Sequence, residues 1–511
     1  MRVLEMETIK GNSIDQKLIL VRNIKYIESI FINHQTIIST QGFFGNSNIR
    51  ILFSNLLIKD IIFKREGEII YAKHQLPNVV EVRESTFENI SSGRVIVETF
   101  STAVKELKTS ILFKDCNFSN INSSGKSFFH STSLPIVEIR NTIFSNFTFI
   151  HQRSRIFTVE DKSTISVYDS IFQKNSALTS SLFKIESESI LVWQNCSISE
   201  NFALISGIFE VSSNGKFEIK HSQIFQNYAI QSPIGLIFDT VEPSIIDSSN
   251  FYQNEALTPQ NVLTEVINNC TKLWFLSKEM KNYLKNEDLT LIKKSSALIQ
   301  LIYGSLIVKN ASNFSGQSVI FSAFLSSITM NESTVANIIV NESTIEIISS
   351  SLQLNKMVFR NIVNSDKKNF IYLLESKLDA KNIYFKDSSS TLFTILDSSG
   401  TLVNINFANV NGGEELMHFD HCNSISLSKI ELINTTTRSD SIIEFHMSKG
   451  VKIKDISLTN IFQIVFKIYQ SEILSINSVN IEQSHESFKI IESKVSLLSD
   501  SNFTQNGKIL K

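Results

Sequence analysis

A four-residue pattern recurs in the 511-residue chain at almost constant intervals. Asn175-Ser-Ala-Leu, Asn201-Phe-Ala-Leu, Asn227-Tyr-Ala-Ile and Asn254-Glu-Ala-Leu begin 26, 26 and 27 residues apart. Just before each Asn stands an apolar residue, called the anchor below, and before the anchor comes a short stretch of alternating apolar and polar residues, as in TISVYDS and KFEIKHS. A fixed period of this length is typical of a solenoid, in which each repeat packs on the next.

The anchor can be followed through almost the whole chain, mostly in steps of 21 to 31 residues. We assign it to Ile27, Ile58, Phe87, Phe118, Phe144, Phe172, Ile198, Phe225, Phe251, Phe314, Val335, Phe359, Phe385, Phe407, Leu432, Leu458, Ile481 and Phe503. One step of 63 residues, from Phe251 to Phe314, predicts an insertion.

Each period contains three short segments in which apolar residues alternate with polar ones, which is the pattern of a half-buried strand. In the first segment the inward positions are assigned to Phe157, Phe183, Phe209, Phe393, Phe419, Phe445 and Phe488. The chain has only 16 Gly and 5 Pro, few for strands joined by tight hairpins. Each strand can instead form its backbone hydrogen bonds with the equivalent strand of the next period, at a spacing of about 4.8 Å. The sequence therefore predicts an all-β fold, a right-handed parallel β-helix solenoid of about 16–18 rungs with one inserted helical segment.

Asn or Asp residues follow most anchors, two or three residues later. They come two residues later at Asp60, Asn89, Asn120, Asn146, Asn227, Asn337, Asn361, Asp387, Asn409, Asn434 and Asn460, and three later at Asn175, Asn201, Asn254 and Asn506. Asn tolerates the left-handed backbone conformation that a sharp corner requires. We expect these side chains to mark a corner between two sheets and to hydrogen-bond along the stack.

A leucine-rich repeat is the rival solenoid, because its period overlaps this one. Segments such as LVNINFANV resemble its strand. The remainder of each period would then be helical, whereas here it alternates like a strand.

The domain organisation follows from the break in the repeat. Residues 259–294 carry apolar residues at spacings of three and four and are predicted to form an amphipathic helical insertion. Residues 1–17 are expected to cap the solenoid, and 18–258 and 295–511 to form its rungs. The last rung ends near Lys511 without a capping segment, which predicts that the chain belongs to a larger protein or stacks end to end on another molecule.

Charge and cysteine content exclude several classes of function. The 48 basic and 50 acidic residues are interspersed, so neither a nucleic-acid partner nor a polybasic membrane patch is predicted. No apolar run is long enough to span a membrane, and the N-terminus has no apolar signal segment. Cys116 and Cys196 lie three rungs apart in the predicted register, roughly 14 Å at the spacing of stacked strands, so no disulfide is expected between them. With Cys422 far along the stack and Cys270 on the insertion, we expect four free thiols.

The short motif F-x-x-N, at Phe172–Asn175, Phe251–Asn254 and Phe503–Asn506, resembles the repeats of the chlamydial polymorphic outer-membrane proteins. It is also similar to pectin-lyase-like β-helices in very large surface proteins of ciliates. The resemblance implies a right-handed parallel β-helix in a surface or secreted setting. The chlamydial repeat also has a Gly-Gly-Ala-Ile element, where this chain has Ser180-Ser-Leu-Phe and Ser206-Gly-Ile-Phe.

One group of residues combines histidine with acids. Phe419 and Phe445 each lie thirteen residues before an anchor, so Asp420 is predicted beside His446 and His418 beside Glu444 on the outer face, with His421 adjacent. Such a set can hold a divalent metal, but outward polar pairs are more often solvated neighbours. Asp residues otherwise occur mostly singly, without the paired carboxylates of glycoside hydrolysis. The sequence therefore predicts no catalytic residue, no cofactor and no metal ligand.

These observations favour a non-catalytic scaffold for adhesion or structure at the cell surface or outside the cell, with carbohydrate or another surface protein as its partner. The alternatives are a carbohydrate-active enzyme, a polysaccharide lyase or glycoside hydrolase, on the same fold, and a cytosolic scaffold.

Overall fold

The computed structural model describes most of residues 17–510. The larger stretches outside the description are 1–16, 40–48, 100–109, 258–277 (except Val262 and Thr264) and 287–296, and shorter gaps of one to four residues separate many strands. The described residues are nearly all β: strands account for 70% and helix for 2%.

The strands before the inserted segment are β1 Lys17–Arg22, β2 Lys25–Phe31, β3 Thr36–Ser39, β4 Ile49–Ser54, β5 Leu57–His74, β6 Val79–Arg83, β7 Thr86–Thr99, β8 Ser110–Lys114, β9 Asn117–Ser123, β10 Phe129–Thr132, β11 Ile136–Arg140, β12 Ile143–Ser145, β13 Thr148–Phe149, β14 Phe157–Val159, β15 Thr164–Tyr168, β16 Ile171–Gln173, β17 Ser176–Ala177, β18 Phe183–Ile185, β19 Ile190–Gln194, β20 Ser197–Ser199, β21 Phe202–Ala203, β22 Phe209–Val211, β23 Lys216–Lys220, β24 Gln223–Phe225, β25 Tyr228–Ala229, β26 Gly235–Phe238, β27 Ser244–Asp247, β28 Asn250–Tyr252 and β29 Glu255–Ala256.

Within the inserted segment lies the helix α1, Lys278–Asn286. The strands after it are β30 Ala297–Ile302, β31 Ser305–Lys309, β32 Asn313–Gly316, β33 Val319–Phe324, β34 Ser327–Asn331, β35 Thr334–Val340, β36 Ile345–Ile348, β37 Ser351–Asn364, β38 Asn369–Leu374, β39 Lys377–Ser389, β40 Thr391–Leu396, β41 Ser399–Asn411, β42 Met417–Asp420, β43 Ile425–Ile433, β44 Ser441–His446, β45 Val451–Thr459, β46 Ile464–Tyr469, β47 Glu472–Glu482, β48 Glu486–Ile491, β49 Lys494–Val495, β50 Leu498–Ser499, β51 Asn502–Thr504 and β52 Lys508–Leu510.

The chain divides into two compact units, unit 1 (Met1–Ile245 with Asn254–Ser295) and unit 2 (Ile246–Gln253 with Ser296–Lys511). In both, strands pair in parallel with their equivalents one turn away. One face of unit 1 stacks β1, β4, β6, β8, β11, β15, β19 and β23. The equivalent face of unit 2 stacks β31, β34, β37, β39, β41, β43, β45, β47 and β49. The predicted parallel β-helix solenoid is confirmed, and its right-handed winding stays a prediction.

The three predicted segments per turn are present, but they divide differently in the two units. From β14 to β25 a turn contains four short strands, because an extra two-residue strand such as β21 follows the anchor strand. In much of unit 2 two segments merge into one long strand: β39 pairs with β37 and β41 along two successive faces. Strand, rather than helix, thus fills the described part of each period, which excludes the leucine-rich repeat.

Apart from Ile27 and Phe225, the anchors whose side chains the structure describes are buried and form columns, as predicted. The register joins Ile58, Phe87, Phe118, Phe144, Phe172 and Ile198 in unit 1. In unit 2 it joins Phe251, Phe314, Val335, Phe359, Phe385, Phe407, Leu432, Leu458, Ile481 and Phe503. Their rings stack along the column, with centroids 4.7 Å apart for Phe144 and Phe172 and 5.1 Å apart for Phe385 and Phe407. Apolar burial and aromatic stacking together hold neighbouring turns.

Two anchor assignments are wrong by one residue. Ile198 pairs with Ile224, which is fully buried, and the predicted anchor Phe225 is the next residue along. Tyr26, not Ile27, pairs with Ile58, and Ile27 is 41% exposed. In both places two apolar residues stand side by side, so alternation alone does not say which one points inward.

The inward phenylalanines of the first segment are all buried, but they occupy two positions rather than one. Phe157, Phe183 and Phe209 pair in succession. In unit 2, however, Phe393 pairs with Met417, whereas Phe419 pairs with Ile395 and Phe445. Residues two apart on a strand share a face, so each strand contributes two inward side chains.

The corner prediction holds with one distinction. The Asn and Asp residues two after an anchor have positive φ, for example Asn89 (54°) and Asn434 (51°), and their side chains bond along the stack, as Asn120 does to Asn89 at 3.0 Å. Asn175, Asn201, Asn227 and Asn254 differ: they are buried, and the left-handed position before them is taken by Lys174, Glu200, Gln226 and Gln253. With Ile224 as anchor, Asn227 joins this second set. Asn506 lies outside the described residues.

The remaining predictions are tested in part. Helix α1 falls inside the predicted insertion, most of which lies outside the described residues, as do 1–16 of the predicted capping segment. Cys116, Cys196 and Cys422 are free and buried, and Cys270 is outside the described part. Among the described residues no helix is long and apolar enough to cross a membrane.

Candidate functional site

The acid and histidine residues singled out from the sequence lie together on the outer face of unit 2. Strands β42 and β44 pair with His418 opposite Glu444 and Asp420 opposite His446, as predicted. Alternation turns Phe419 and Phe445 inward, where their rings stack with centroids 5.0 Å apart. The polar side chains therefore project from a backbone that the core fixes.

Asp420 is the centre of the first group. Its Oδ1 lies 2.6 Å from Nδ1 of His446, one turn away, and 2.7 Å from Nδ1 of His421, the next residue along the chain. Burial acts to raise the pKa of Asp420, but the hydrogen bond from His446 and the charges of the two imidazoles outweigh it and lower that pKa below its usual range. The carboxylate is thus held ionised between two imidazoles.

The two histidines are held in different ways. His446 stacks face to face on Tyr469 of the following turn, with ring centroids 5.1 Å apart and planes inclined by 9°. His421 stands at a corner with φ of 51°, and its backbone N–H donates to the carbonyl of His446 at 3.0 Å. Backbone pairing and ring stacking therefore set the spacing of the three side chains.

A second group lies beside the first, on the same strands. Lys467 of β46 donates from Nζ to both carboxylate oxygens of Glu444, at 3.1 and 3.2 Å. Burial, and next the charges of Glu444 and Glu414, raise the pKa of the Glu415 carboxyl to about 7, and Glu415 and Glu444 share a hydrogen bond. Burial lowers the pKa of His418, whose Nδ1 is buried without a hydrogen-bond partner among the described residues.

Three members of the site were missed from the sequence. Lys467 and Tyr469 flank Ile468, which lies thirteen residues before the anchor Ile481, so the count that placed His418 and Asp420 would have found them. Glu415 precedes β42 and has no position in the strand register, so no periodic signal marks it.

Unit 2 also carries a row of apolar side chains on its outer surface. Successive strand ends pair Ile302, Phe324, Ile348, Leu374 and Leu396, called here the outer apolar column, and Leu396 pairs with Asp420. Phe324 is 43% exposed, and Tyr303 at the adjacent corner is 58% exposed. Their rings meet edge to face, with centroids 6.2 Å apart. Two residues earlier on the same strands a parallel row of polar and aromatic groups faces outward: Gln300, Ser322, Glu346 and Tyr372.

Comparisons with known proteins add little. No protein-family model matches the sequence, and no curated protein matches it. Among solved structures, the tailspike protein 3 of bacteriophage CBA120 aligns at 8% identity and a TM-score of 0.29 over 83% of this chain and 56% of the tailspike. The Streptococcus pneumoniae surface protein and adhesin PfbA aligns at 8% identity and a TM-score of 0.18, covering 90% of each chain.

The alginate lyase AlyGC of family PL6 aligns at 9% identity and a TM-score of 0.14 over 96% of this chain and 97% of the lyase. Of the tailspike, by contrast, this chain spans little more than half the length. Similarity at this level carries no information about function.

Proposed function

We propose that this chain is a non-catalytic scaffold at the cell surface or outside the cell, and that it binds a polysaccharide along the outer apolar column of unit 2. The observation that supports it is the column itself. Outward positions of a solvated sheet normally carry polar side chains, and a contiguous row of partly exposed apolar ones on a soluble surface marks an interaction site.

The chemistry of the two outer rows favours a sugar chain as the occupant. A pyranose ring has an apolar face of C–H groups and a rim of hydroxyls. The apolar column with the Tyr303–Phe324 pair offers contact to such faces. The parallel row with Gln300, Glu346 and Tyr372, about 7 Å away along each strand, offers hydrogen-bond donors and acceptors to the rim. Because both rows repeat every turn, a linear polymer can meet the same groups several times.

Binding to immobilised polysaccharides, neutral and uronic-acid-containing, tests the proposal. The wild type should retain at least one of them without releasing products. Phe324→Ser together with Tyr303→Ser should weaken retention by about tenfold or more, since two hot-spot aromatics are lost. Val241→Ser is the matched control, an apolar residue 83% exposed in unit 1, and should bind as the wild type does. The proposal is contradicted if the double variant is retained on the polysaccharide as well as the wild type is, or if the wild type binds only a protein partner.

A carbohydrate-active enzyme on the same fold is the second candidate, and the Glu415–Glu444 pair is the observation that favours it. A carboxyl group with a pKa near 7 beside an ionised carboxylate is the arrangement that general acid catalysis uses. If this candidate is right, the wild type releases new sugar ends from a polysaccharide near pH 7, and Glu415→Gln abolishes that release while leaving retention on the column intact.

A further inference from the structure

We propose that Asp420, His421 and His446 form a binding site for a divalent transition-metal ion, with Zn²⁺ as the best-fitting ion. Their ligand atoms, one carboxylate oxygen and two imidazole nitrogens, all lie within 4.8 Å of one another. Among the residues that the structure describes, no other group of three His, Cys, Asp or Glu side chains meets in this way.

The ligand types select the ion. Imidazole nitrogen with a single carboxylate suits Zn²⁺ and its neighbours in the transition series, whereas Ca²⁺ and Mg²⁺ require more oxygen ligands. Zinc binds His nitrogen and Asp oxygen at about 2.0–2.2 Å. A tetrahedral arrangement then separates neighbouring ligand atoms by about 3.4 Å. Asp420 Oδ1 is now 2.6 and 2.7 Å from the two Nδ1 atoms, so an ion between them requires each side chain to move by less than about 1 Å.

The surroundings hold the ligands in place for such an ion. Asp420 and His446 stand opposite each other in a continuous parallel ladder, and stacking on Tyr469 fixes the plane of His446. The positive φ of His421 turns its side chain from the strand end back toward Asp420. A ligand set placed by backbone pairing loses little entropy on binding.

Charge also favours an ion. The site contains one carboxylate, and the Lys467 ammonium on the neighbouring strand is already paired with Glu444. Binding replaces the two Nδ1–H···O bonds by two N–metal bonds and one O–metal bond; the proton on each Nδ1 leaves to solvent, and each imidazole binds as the tautomer that carries its proton on Nε2. Three protein ligands leave a fourth position for water or a ligand, as in open zinc sites. Asp420 itself pairs with Leu396, the last residue of the outer apolar column.

Titration of the full-length, chelator-treated protein with Zn²⁺ in a calorimeter tests the site. We expect one ion per chain, and Co²⁺ in its place should give the visible absorption bands of a tetrahedral nitrogen–oxygen site. His446→Ala, or Asp420→Asn, should weaken binding by about a hundredfold or more, since loss of even a supporting partner costs 10–100-fold. His421→Asn removes the other imidazole with a residue that tolerates positive φ.

His130→Ala is the matched control, because His130 also lies beside an acid, Glu160, at 3.4 Å, but without a third ligand. It should bind zinc as the wild type does, and all variants should keep the wild-type circular dichroism and melting temperature without metal. The proposal is overturned if the wild type binds no zinc at millimolar concentration. It is equally overturned if the His421→Asn, His446→Ala double variant binds as the wild type does, which would leave the cluster as a hydrogen-bonded network alone.

Discussion

The side-chain amide of Asn201 donates from Nδ2 to Oδ1 of Asn227, one turn further along unit 1, at 2.9 Å, and both residues are fully buried. The same Nδ2 donates to the carbonyl of Phe172 at 3.1 Å. Oδ1 of Asn201 in turn accepts from the backbone N–H of Asn175 at 3.0 Å and from its side chain at 2.9 Å. The Asn201 amide is thus satisfied by the turns on either side, which makes the ladder a buried and cooperative network.

Replacing Asn201 by Ala should therefore lower the free energy of unfolding substantially. It leaves the backbone N–H of Asn175, the carbonyl of Phe172 and the amide of Asn227 short of a partner in the core. We expect a loss of about 2–4 kcal/mol, since an unsatisfied buried group costs about 1–3 kcal/mol. Urea denaturation measures it, and hydrogen exchange should show faster opening of β17 and β25 on both sides.

Asn313→Ala is the matched control, because Asn313 also donates its amide to an equivalent residue, Asn250, at 2.8 Å, but at an exposed strand position. There water replaces the lost partner, and the change should stay within about 0.5 kcal/mol. Equal losses at the two sites would show that burial of the ladder contributes nothing.

A second prediction concerns the anchor that the sequence placed one residue too late. Ile224→Ala should cost about 2–5 kcal/mol, because it leaves a cavity in a fully buried column. Phe225→Ala removes a larger side chain from a half-buried position on the strand's other face and should cost less. Thermal unfolding of the two variants ranks them, and a larger loss for Phe225→Ala would contradict the register.

Periodicity predicted the fold and most of the core because every turn of a solenoid repeats one local environment. Phe118, Phe144 and Phe172 pair as expected for that reason. Ile224 and Phe225 are adjacent apolar residues, so the alternation of apolar and polar residues does not show which side chain points inward. The pairing of Ile224 with Ile198 identifies Ile224 as the inward residue. The pairing of Asp420 with His446 followed from the same count, but the distances and the role of Glu415 depend on side-chain conformation, which period does not encode.

A ladder of mostly buried serines in unit 2 was missed altogether. The hydroxyls of Ser326, Ser350, Ser376, Ser398, Ser448, Ser471 and Ser493 occupy one corner, and most accept a hydrogen bond from the backbone N–H of the preceding member at 2.8–3.1 Å. Cys422 stands in this row between Ser398 and Ser448. Serine is so frequent in this chain that its regular spacing of 22 to 26 residues does not stand out.

A third prediction follows from the position of the thiols. Burial raises the pKa of Cys116 and of Cys196 to about 12 and that of Cys422 to about 11. At pH 8 the folded protein should therefore leave these three thiols unmodified by a disulfide reagent for as long as it stays folded. After unfolding without reductant all three should react at once, since none is in a disulfide. Fewer reactive thiols in the unfolded chain would disprove the free state.

The last prediction is a pH dependence that comes from Glu415. Its pKa is about 7 in the folded protein against an ordinary 4.5, so between these values the folded state holds a proton that the unfolded chain has lost. Stability from this group is fully present below about pH 4.5 and is lost as the pH rises through 7. The shift would correspond to several kcal/mol for a buried group, but Glu415 is half-buried, and solvent screening reduces the expected loss to about 1 kcal/mol.

Glu415→Gln should remove this loss, because the amide keeps a hydrogen-bond donor toward Glu444 and never ionises. Urea denaturation at pH 5 and pH 8 measures the effect as a difference between variant and wild type, in which contributions from His418 and the other titrating groups cancel. The variant should gain about 1 kcal/mol over the wild type at pH 8 and little at pH 5. Glu375→Gln, at an exposed corner where the carboxylate accepts from Ser349, serves as control and should show no such gain. If the free energy of unfolding falls between pH 5 and pH 8 by the same amount in the wild type and in the Glu415→Gln variant, the titrating group lies elsewhere on the chain.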